Sequence, residues 1–225
     1  MRIRIGLRRH AVVAASLLAL AASPAAAANP LDDLIEPADG KMACFARVYD
    51  AAHLKKHPRQ KTVSMTVWLS YEPLGPDIPG VGLNNAVAIV QRGDPAALFS
   101  EGGCEFSEKA NRDTSNQRLI SRFPKDTGVV CLQSARPDVF LAVSAEEGGS
   151  LIFDRGKDRD TLMVYLDDSM LMVKRANRDA QIDVKFGSDD RVFMLRRAPM
   201  KDCDVVVEAV TTPEPGVRRR RPARR

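Results

Sequence analysis

The second half of the chain consists of short apolar segments separated by clusters of turn residues. Seven such segments follow one another at intervals of roughly ten residues, which is the spacing of consecutive antiparallel strands. They span residues 139–143, 151–153, 162–166, 170–173, 182–186, 192–195 and 205–207. Gly, Asp, Asn and Ser occupy the intervals, and these residues suit positive φ angles or side-chain-to-backbone hydrogen bonds. The pattern predicts an antiparallel β-meander.

The pattern of these strands also indicates how they are buried and closed. Residues 182–186 alternate between apolar and polar side chains, so one face of that strand should contact water. Residues 162–166 are apolar throughout, so we expect cover on both faces. An open sheet of about ten short strands would expose two edges, and closure removes them. We therefore expect a mostly β fold with a closed or nearly closed barrel, and the alternative is a two-sheet β-sandwich.

The first half of the chain mixes strands with irregular segments. Predicted strands, rich in Val, Thr and aromatic side chains, span residues 42–49, 62–71 and 85–91. Asp50 is placed to cap a single helical turn, Ala51–Lys56, which Pro58 ends. A further helical turn is predicted at 94–99. Loops are predicted at residues 73–82 and 108–116.

The start of the chain has the features of a secretory signal peptide. An apolar run at 11–22 is followed by small residues at 26–28, and the run is too short to span a bilayer comfortably. Its positively charged start contains Arg2, Arg4, Arg8 and Arg9. No later segment is long enough to be a span. We expect cleavage near Ala28 and a periplasmic or secreted protein, with a lead-in segment at 29–41 and a single β-rich domain at 42–210.

The four cysteines are Cys44, Cys104, Cys131 and Cys203. An even number in an exported chain indicates two disulfide bonds. None belongs to a Cys-x-x-Cys pair of the kind found in zinc ribbons or thioredoxin-like centres. We expect Cys104–Cys131, which would tie the ends of a local excursion, and Cys44–Cys203, which would join the first and last strands of a closed sheet. The sequential pairing, Cys44–Cys104 with Cys131–Cys203, is the alternative.

Positive charge is concentrated at the two ends of the chain. Four of the 34 Lys and Arg residues lie in the predicted signal peptide and six lie in the tail, so 24 remain at 29–212, against 28 of the 29 acidic residues. The body is therefore mildly acidic, and residues 211–225 are predicted to form a disordered basic tail. Its guanidinium groups are suited to bind an anionic surface, and they belong to Arg218, Arg219, Arg220, Arg221, Arg224 and Arg225. No aromatic side chains interleave with them, so nucleic acid is not the expected partner.

Two segments near the ends of the predicted domain are similar to segments of known proteins. Residues 49–58 (YDAAHLKKHP) follow the first cysteine, and residues 189–195 (DDRVFML) precede the last. Both resemble segments of exported alphaproteobacterial proteins of unassigned function. The resemblance implies an exported domain and brings no catalytic activity with it.

His53 and His57 are the two histidines that remain after the predicted cleavage. The two histidines are four residues apart, so on a helical turn their rings would lie on the same face. They could then bind Zn²⁺ or Cu²⁺, with Asp50 as a third ligand. However, the Glu that zinc proteases carry after the first His is missing, and Lys55 and Lys56 intervene. The sequence favours a structural role, in which the first histidine packs its ring and the second caps the helix.

The sequence predicts no catalytic residues and no cofactor. It has no Gly-x-Ser-x-Gly elbow, phosphate-binding loop or dinucleotide fingerprint. Asp154, Asp158 and Asp160 lack the spacing of a calcium loop and alternate with basic residues, so they predict a charged hairpin turn. The pairs at 167–168 and 189–190 are likewise predicted turn residues.

Disulfide-bonded β structure without catalytic residues favours an exported, non-enzymatic binding or inhibitor-like module. Its partner would be an envelope protein or an anionic envelope component. One alternative is a metal-binding protein that uses His53 and His57. The other is a structural envelope protein held to anionic lipid or polysaccharide by the Arg-rich tail.

Overall fold

A computed structural model describes residues 29–75, 77–110, 123–134, 148–175 and 177–211. The predicted signal peptide, the predicted strand at 139–143 and the tail beyond Thr211 lie outside these residues, as does most of the predicted loop at 108–116. The described strands are β1 (Met42–Val48), β2 (Thr62–Pro73), β3 (Val81–Gln91), β4 (Asp94–Ser107), β5 (Gly128–Ser134), β6 (Ser150–Arg155), β7 (Thr161–Leu166), β8 (Ser169–Lys174), β9 (Asn177–Lys185) and β10 (Val192–Ala198). The described helices are α1 (Ala51–Lys56), a 3₁₀ helix (Met200–Cys203) and α2 (Asp204–Thr211).

Eight of the described strands form a closed antiparallel barrel. The order around the barrel is β3-β2-β1-β10-β7-β6-β5-β4, and pairing of β4 with β3 completes the circle. Strands β8 and β9 form a hairpin outside the circle, joined to β4 where Leu98 pairs with Lys174 and Phe99 with Val173. The predicted closed barrel is therefore confirmed, and the sandwich alternative is wrong.

Alternate side chains of each strand fill the barrel interior. On β2 the inward side chains, each at most 5% exposed, are Met65, Val67, Leu69 and Tyr71. Leu31, Leu34 and Ile35, from the predicted lead-in segment, are buried in the same core. Arg197, near the end of β10, holds this segment by donating a hydrogen bond to the Leu34 carbonyl. The lead-in segment therefore packs against the core at one end of the barrel.

The prediction of a strand at 205–207 is wrong, because these residues belong to α2. Val206 and Ala209 of α2 are buried on the outer surface of the barrel, against Trp68 and Ala86. Three consecutive valines favour a strand by propensity, but tertiary packing overrides that preference. The helix buries two side chains three positions apart on one face, which a strand at the same place would not do.

The prediction of a helical turn at 94–99 is also wrong, because β4 already begins at Asp94. Gly93 adopts a left-handed conformation with φ 80°, and this closes a tight turn between β3 and β4. The Asp94 carboxylate still accepts a hydrogen bond from the Ala96 N–H (3.0 Å), as an N-cap residue would. The chain nevertheless continues as a strand, and Leu98 enters the core.

The burial predicted for two other strands is confirmed. In β7 both faces are covered, since every residue is buried except Met163, which is half-buried. In β9 the alternation leaves Asp183 and Lys185 exposed and buries Val184 between them. The strand with continuous apolar sequence therefore lies within the fold, and the alternating strand lies at its surface.

Both predicted disulfides are present, and the sequential pairing is wrong. Cys104 on β4 directly faces Cys131 on β5, with Cα atoms 4.1 Å apart. Cys44 on β1 is bonded to Cys203 in the 3₁₀ helix that follows β10. In the chain-entropy model the shorter loop, with a sequence separation of 27, contributes about 3.5 kcal/mol, and the longer, with 159, contributes about 5 kcal/mol.

Asp190 joins the loop before β10 to the start of β2. Its fully buried carboxylate accepts hydrogen bonds from the backbone N–H groups of Lys61 (2.6 Å), Thr62 (3.0 Å) and Gly187 (3.0 Å). The two segments lie so close that a Cβ atom at Gly187 would be 1.9 Å from the Arg59 carbonyl oxygen. Asp190 is thus a turn residue, as predicted, and also an anchor between distant segments.

We expect Asp190→Ala to lower the free energy of unfolding by about 3 kcal/mol, because it leaves buried backbone donors without their acceptor. Urea denaturation of the oxidised protein measures the change. Asp190→Asn keeps one acceptor oxygen and should lose less. Asp183→Ala, at an exposed aspartate of β9, is the control, and an equal loss in Asp183→Ala and Asp190→Ala would contradict the anchoring role.

Candidate functional site

The two ends of the barrel differ in structure. At one end, which we call the α1 end, β1 leads through α1 into β2, and the loop before β10 lies alongside. At the other, which we call the cavity end, β2 turns into β3, β4 ends, and the segment before β1 packs across the barrel. Residues that could contact a ligand or partner lie at both ends.

Residues 49–58 and residues 189–195 meet at the α1 end. The rings of Tyr49 and Phe193 lie 6.0 Å apart. The backbone N–H of Arg59, next to the first segment, donates to Asp189 Oδ2 at 3.2 Å, across 130 positions of sequence. These two segments, distant in the sequence, therefore form one continuous region of the folded protein.

Helix α1 forms at the predicted position. Asp50 is its N-cap, because Oδ1 accepts a hydrogen bond from the His53 backbone N–H at 2.7 Å. His57 is the C-cap, as predicted. The two imidazole rings stack with centroids 4.4 Å apart and planes inclined by 25°. On its other side the His53 ring lies 4.6 Å from the ring of Tyr49.

The hydrogen bonds of Gln60 show which nitrogen of the His53 ring is the donor. Gln60 Nε2 donates to the Thr62 carbonyl at 2.7 Å, so its Oε1 is the atom left to accept. His53 Nε2 lies 3.0 Å from that oxygen and therefore carries a hydrogen. The first histidine is thus a structural group that links α1 to the start of β2.

The paired histidines do not present converging metal ligands. Ring-nitrogen lone pairs lie in the ring planes, so stacked rings hold them in two nearly parallel planes, whereas binding of one tetrahedral ion needs them to converge on a single point. The Asp50 carboxylate is occupied as the helix cap. Across the described ranges, no group of three His, Cys, Asp or Glu side chains could hold a metal ion. The geometry gives the metal-binding alternative no support.

Tyr49 lies beneath the histidines and is 8% exposed. Burial raises the pKa of its hydroxyl to about 12; Arg47 opposes this shift and Asp190 adds to it. The guanidinium carbon of Arg47 lies 4.9 Å from the centre of the Tyr49 ring. The folded protein therefore favours the neutral phenol over the phenolate.

The acidic residues at 154–160 form a charged turn between β6 and β7, as predicted. Each carboxylate faces a cation. The ion pairs are Asp154 with Lys125, Asp158 with Arg196 and Asp160 with Arg197. This surface is neutralised by its own ion pairs and does not resemble a calcium loop.

A cavity of about 430 Å³ opens at the cavity end. Its apolar walls come from the β2–β3 loop and from β3, β4 and β5, and consist of Leu74, Val81, Leu83, Phe106 and Val129. The other lining residues are Asn29, Tyr71, Gly82, Cys104 and Glu105. The cavity is thus mainly apolar, with a few polar groups and one side of a disulfide bond.

The cavity lies where two strands of the barrel separate. Pairing between β3 and β4 ends at Leu83 and Cys104. Beyond that point β3 continues to Val81 beside β2, and β4 continues to Ser107 beside β5. The barrel wall therefore has a gap between β3 and β4 at this end.

A network of buried polar side chains lies inside the barrel below the cavity. Asn85 on β3 donates to the Gly102 carbonyl at 2.9 Å and accepts from Gln133 Nε2 at 3.0 Å. The Ser100 hydroxyl donates to Gln133 Oε1 at 3.2 Å. These bonds hold β3, β4 and β5 together where the strands are still paired. The network lies next to Leu83 and Cys104, which line the cavity.

Tyr71 brings a buried phenol to the cavity wall. Burial raises the pKa of Tyr71, the Asp32 carboxylate raises it further, and a hydrogen bond with Asn29 opposes the shift. Asn29 Oδ1 also accepts the backbone N–H of Leu31 at 2.9 Å. The first described residues therefore shape this side of the cavity.

The fold and its cavity define a disulfide-bonded, eight-stranded antiparallel barrel that is open at one end. Comparisons of the chain with family models, with curated proteins and with solved structures found no match. Within the part of the chain that the structure describes, no helix is long and apolar enough to cross a membrane. The signal peptide and the six tail arginines stay predictions, because they lie outside the described residues.

The cavity is the feature that sequence reasoning missed. Its lining residues come from five separate parts of the chain, and none of them belongs to a motif. The one sequence feature related to the cavity is the run of Pro and Gly at 73–82, which interrupts the strand pattern next to it. That run predicts a loop, but it does not predict that β3 and β4 separate next to it.

We expect alkaline pH to destabilise the protein partly through Tyr49. In the unfolded chain a tyrosine ionises near pH 10, whereas in the fold this one ionises near 12. The contribution of Tyr49 to the free energy of unfolding is therefore fully present below pH 10, and it decreases as the pH rises from 10 towards 12. Urea denaturation at pH 8 and pH 11 should show a smaller decline for Tyr49→Phe than for the unsubstituted protein. Equal declines would contradict the assignment.

Proposed function

We propose that this protein is an exported, non-enzymatic binding module that holds a largely apolar ligand group in its cavity. The observation that carries the proposal is an apolar cavity of about 430 Å³ at the open end of a closed barrel. Pockets for small ligands are typically about 300–1,000 Å³, and eight-stranded barrels are just wide enough to hold one such ligand.

The rim of the cavity supports this proposal. Leu74 and Ile78, in the loop between β2 and β3, are 53% and 57% exposed. Leu74 also lies against Gly82, where an added Cβ atom would be 2.9 Å from its Cδ2. Exposed apolar side chains beside an apolar cavity are typical of a binding site. They would cover an apolar group that enters the cavity.

The way the strands beside the cavity are held together supports a binding role rather than a role in packing alone. The hydrogen bonds of Asn85 and Gln133 fix the strands below the opening, and the Cys104–Cys131 disulfide lies at the same level. A cavity with rigid walls binds without first having to be ordered, which preserves affinity. The two disulfides also support export, because such bonds persist in oxidising compartments.

We expect a neutral apolar fluorophore, 1-N-phenylnaphthylamine, to bind the oxidised protein saturably at one site per chain. Val81→Trp should weaken this binding at least about tenfold, because the half-buried Val81 faces the cavity and the larger ring would fill it. Fluorescence titration measures the affinity.

Val192→Trp is the matched control, since it makes the same change on the outer surface at the α1 end, where Val192 is 43% exposed. It should leave the affinity unchanged. Circular dichroism checks that both variants fold. Absence of saturable binding to the unsubstituted protein, or equal weakening by both variants, would refute the proposal.

A second candidate function, envelope attachment through the Arg-rich tail, is favoured by where α2 ends. Glu208 in α2 forms an ion pair with Arg175 at 2.9 Å, in the turn after β8. Lys174, which precedes Arg175, forms an ion pair with Asp94 at the β3–β4 turn. In that turn Arg92 donates to the carbonyl of His57. Helix α2 therefore ends near the α1 end.

The α1 end carries exposed basic side chains of its own. Lys55, Lys56 and Arg59 are exposed on or beside α1. Each basic residue near an anionic membrane contributes about 1 kcal/mol of attraction. The tail and this surface would therefore act together on an anionic phospholipid bilayer.

We expect the chain to cosediment with phosphatidylglycerol vesicles and to dissociate steeply as salt is raised, because the attraction is screened. Deleting 216–225 should abolish the interaction. Replacing the six tail arginines by lysine should preserve it, since the charge is kept. Binding that is insensitive to salt, or equal binding to phosphatidylcholine vesicles, would contradict this candidate.

A further inference from the structure

The register of the barrel shows which backbone groups face the gap between β3 and β4. Cys104 and Cys131 are directly opposed with Cα atoms 4.1 Å apart, the short spacing of a pair that does not exchange hydrogen bonds. The backbone N–H and C=O of Cys104 therefore point the other way, to Leu83 on β3. The side to which the backbone N–H and C=O point reverses at each residue of a strand, so it is the same for residues two apart. The backbone groups of Phe106, two residues after Cys104, therefore also point towards β3, which at this level means into the gap.

The same alternation applies to the opposite side of the gap. Leu83 directs its backbone groups to β4, so Val81, two residues earlier, also directs its N–H and C=O towards β4. In a continuous ladder Val81 and Phe106 would pair with each other. Among the described residues the ladder stops one pair short of them, so it gives neither residue a partner.

The gap thus presents two short strand edges that face each other above an apolar cavity. A strand edge is a template for a further strand, since its N–H and C=O groups are arranged to pair with extended backbone. The side chains of Val81 and Phe106 pack against the barrel core and line the cavity. An extended segment in the gap would direct one side chain inward among them and leave its neighbours at the exposed rim.

We infer that the ligand of this cavity is an extended peptide segment of a partner protein. The segment adds a short strand between β3 and β4, pairs with the backbone of Val81 and Phe106, and places one apolar side chain in the cavity. This inference rests on the proposed function, and it names the class of ligand. Main-chain pairing would supply affinity, and the cavity would select the side chain. Leu74 and Ile78 would cover the segment from the rim.

The test uses the oxidised full chain and a library of acetylated, amidated pentapeptides with every position random. Peptides retained by the protein are identified by mass spectrometry, and their affinities are measured by displacement of 1-N-phenylnaphthylamine. We expect the retained peptides to share one apolar residue. N-methylation of a paired backbone amide, which removes the donor and keeps every side chain, should weaken binding at least about tenfold.

The protein side is tested by Val81→Pro, which removes the backbone donor at the first residue of β3, a position that tolerates proline. Val81→Ala is the matched control, since it keeps the donor and reduces the side chain. We expect Val81→Pro to weaken peptide binding more than Val81→Ala does, with the fluorophore affinities of the two variants alike.

The outcomes separate this inference from the proposed function. Saturable fluorophore binding without any retained peptide would overturn the inference and leave the proposed function in place. The inference would also be overturned if each backbone amide of a retained peptide could be N-methylated, one at a time, without loss of affinity. Main-chain pairing would then be unnecessary for binding. Absence of both fluorophore and peptide binding would overturn the proposed function itself.

Discussion

The antiparallel pairing of β1 with β10 turns the sheet into a barrel, because it joins the first strand to the last one in the chain. Closure leaves most strands with a neighbour on each side and creates one interior that the inward side chains must fill. The Cys44–Cys203 bond holds this junction from outside, where α2 packs. Asp190, in the loop before β10, also stabilises this junction, because its carboxylate accepts a hydrogen bond from the start of β2. The position of every candidate site follows from this closure.

The interior of the closed barrel is filled unequally along its axis. At the cavity end, Leu31 and Leu34 enter from the segment before β1. Beside them β3 and β4 part, and the polar network around Asn85 marks the level at which pairing resumes. The cavity therefore arises from the same strand geometry that closes the rest of the wall. The walls of the binding site come mainly from the barrel strands, and the lead-in segment and the β2–β3 loop add Asn29 and Leu74.

Strand positions could be predicted because they depend on local patterns, and the Cys44–Cys203 pairing could be predicted from the expected closure of the sheet. Alternation in β9, continuous apolar sequence in β7 and the cap at Asp50 are each encoded within a few residues. The helix at 204–211 could not be predicted, because burial of Val206 against the barrel overrides the strand preference of three valines. The cavity could not be predicted either, since it depends on where the pairing of β3 with β4 stops. The stacking of His53 on His57 follows from their helical spacing, but its consequence for metal binding needed the ring planes.

The bond between Cys44 and Cys203 makes the barrel a covalent ring. Every loop that joins one barrel strand to the next lies between these two cysteines in the sequence. A protease that cuts any one of those loops would therefore open the ring without releasing a fragment. The cut protein would keep its strands in register through the remaining hydrogen bonds and the covalent tie. In a compartment rich in proteases, such a molecule can be nicked and still remain one folded particle until its disulfides are reduced.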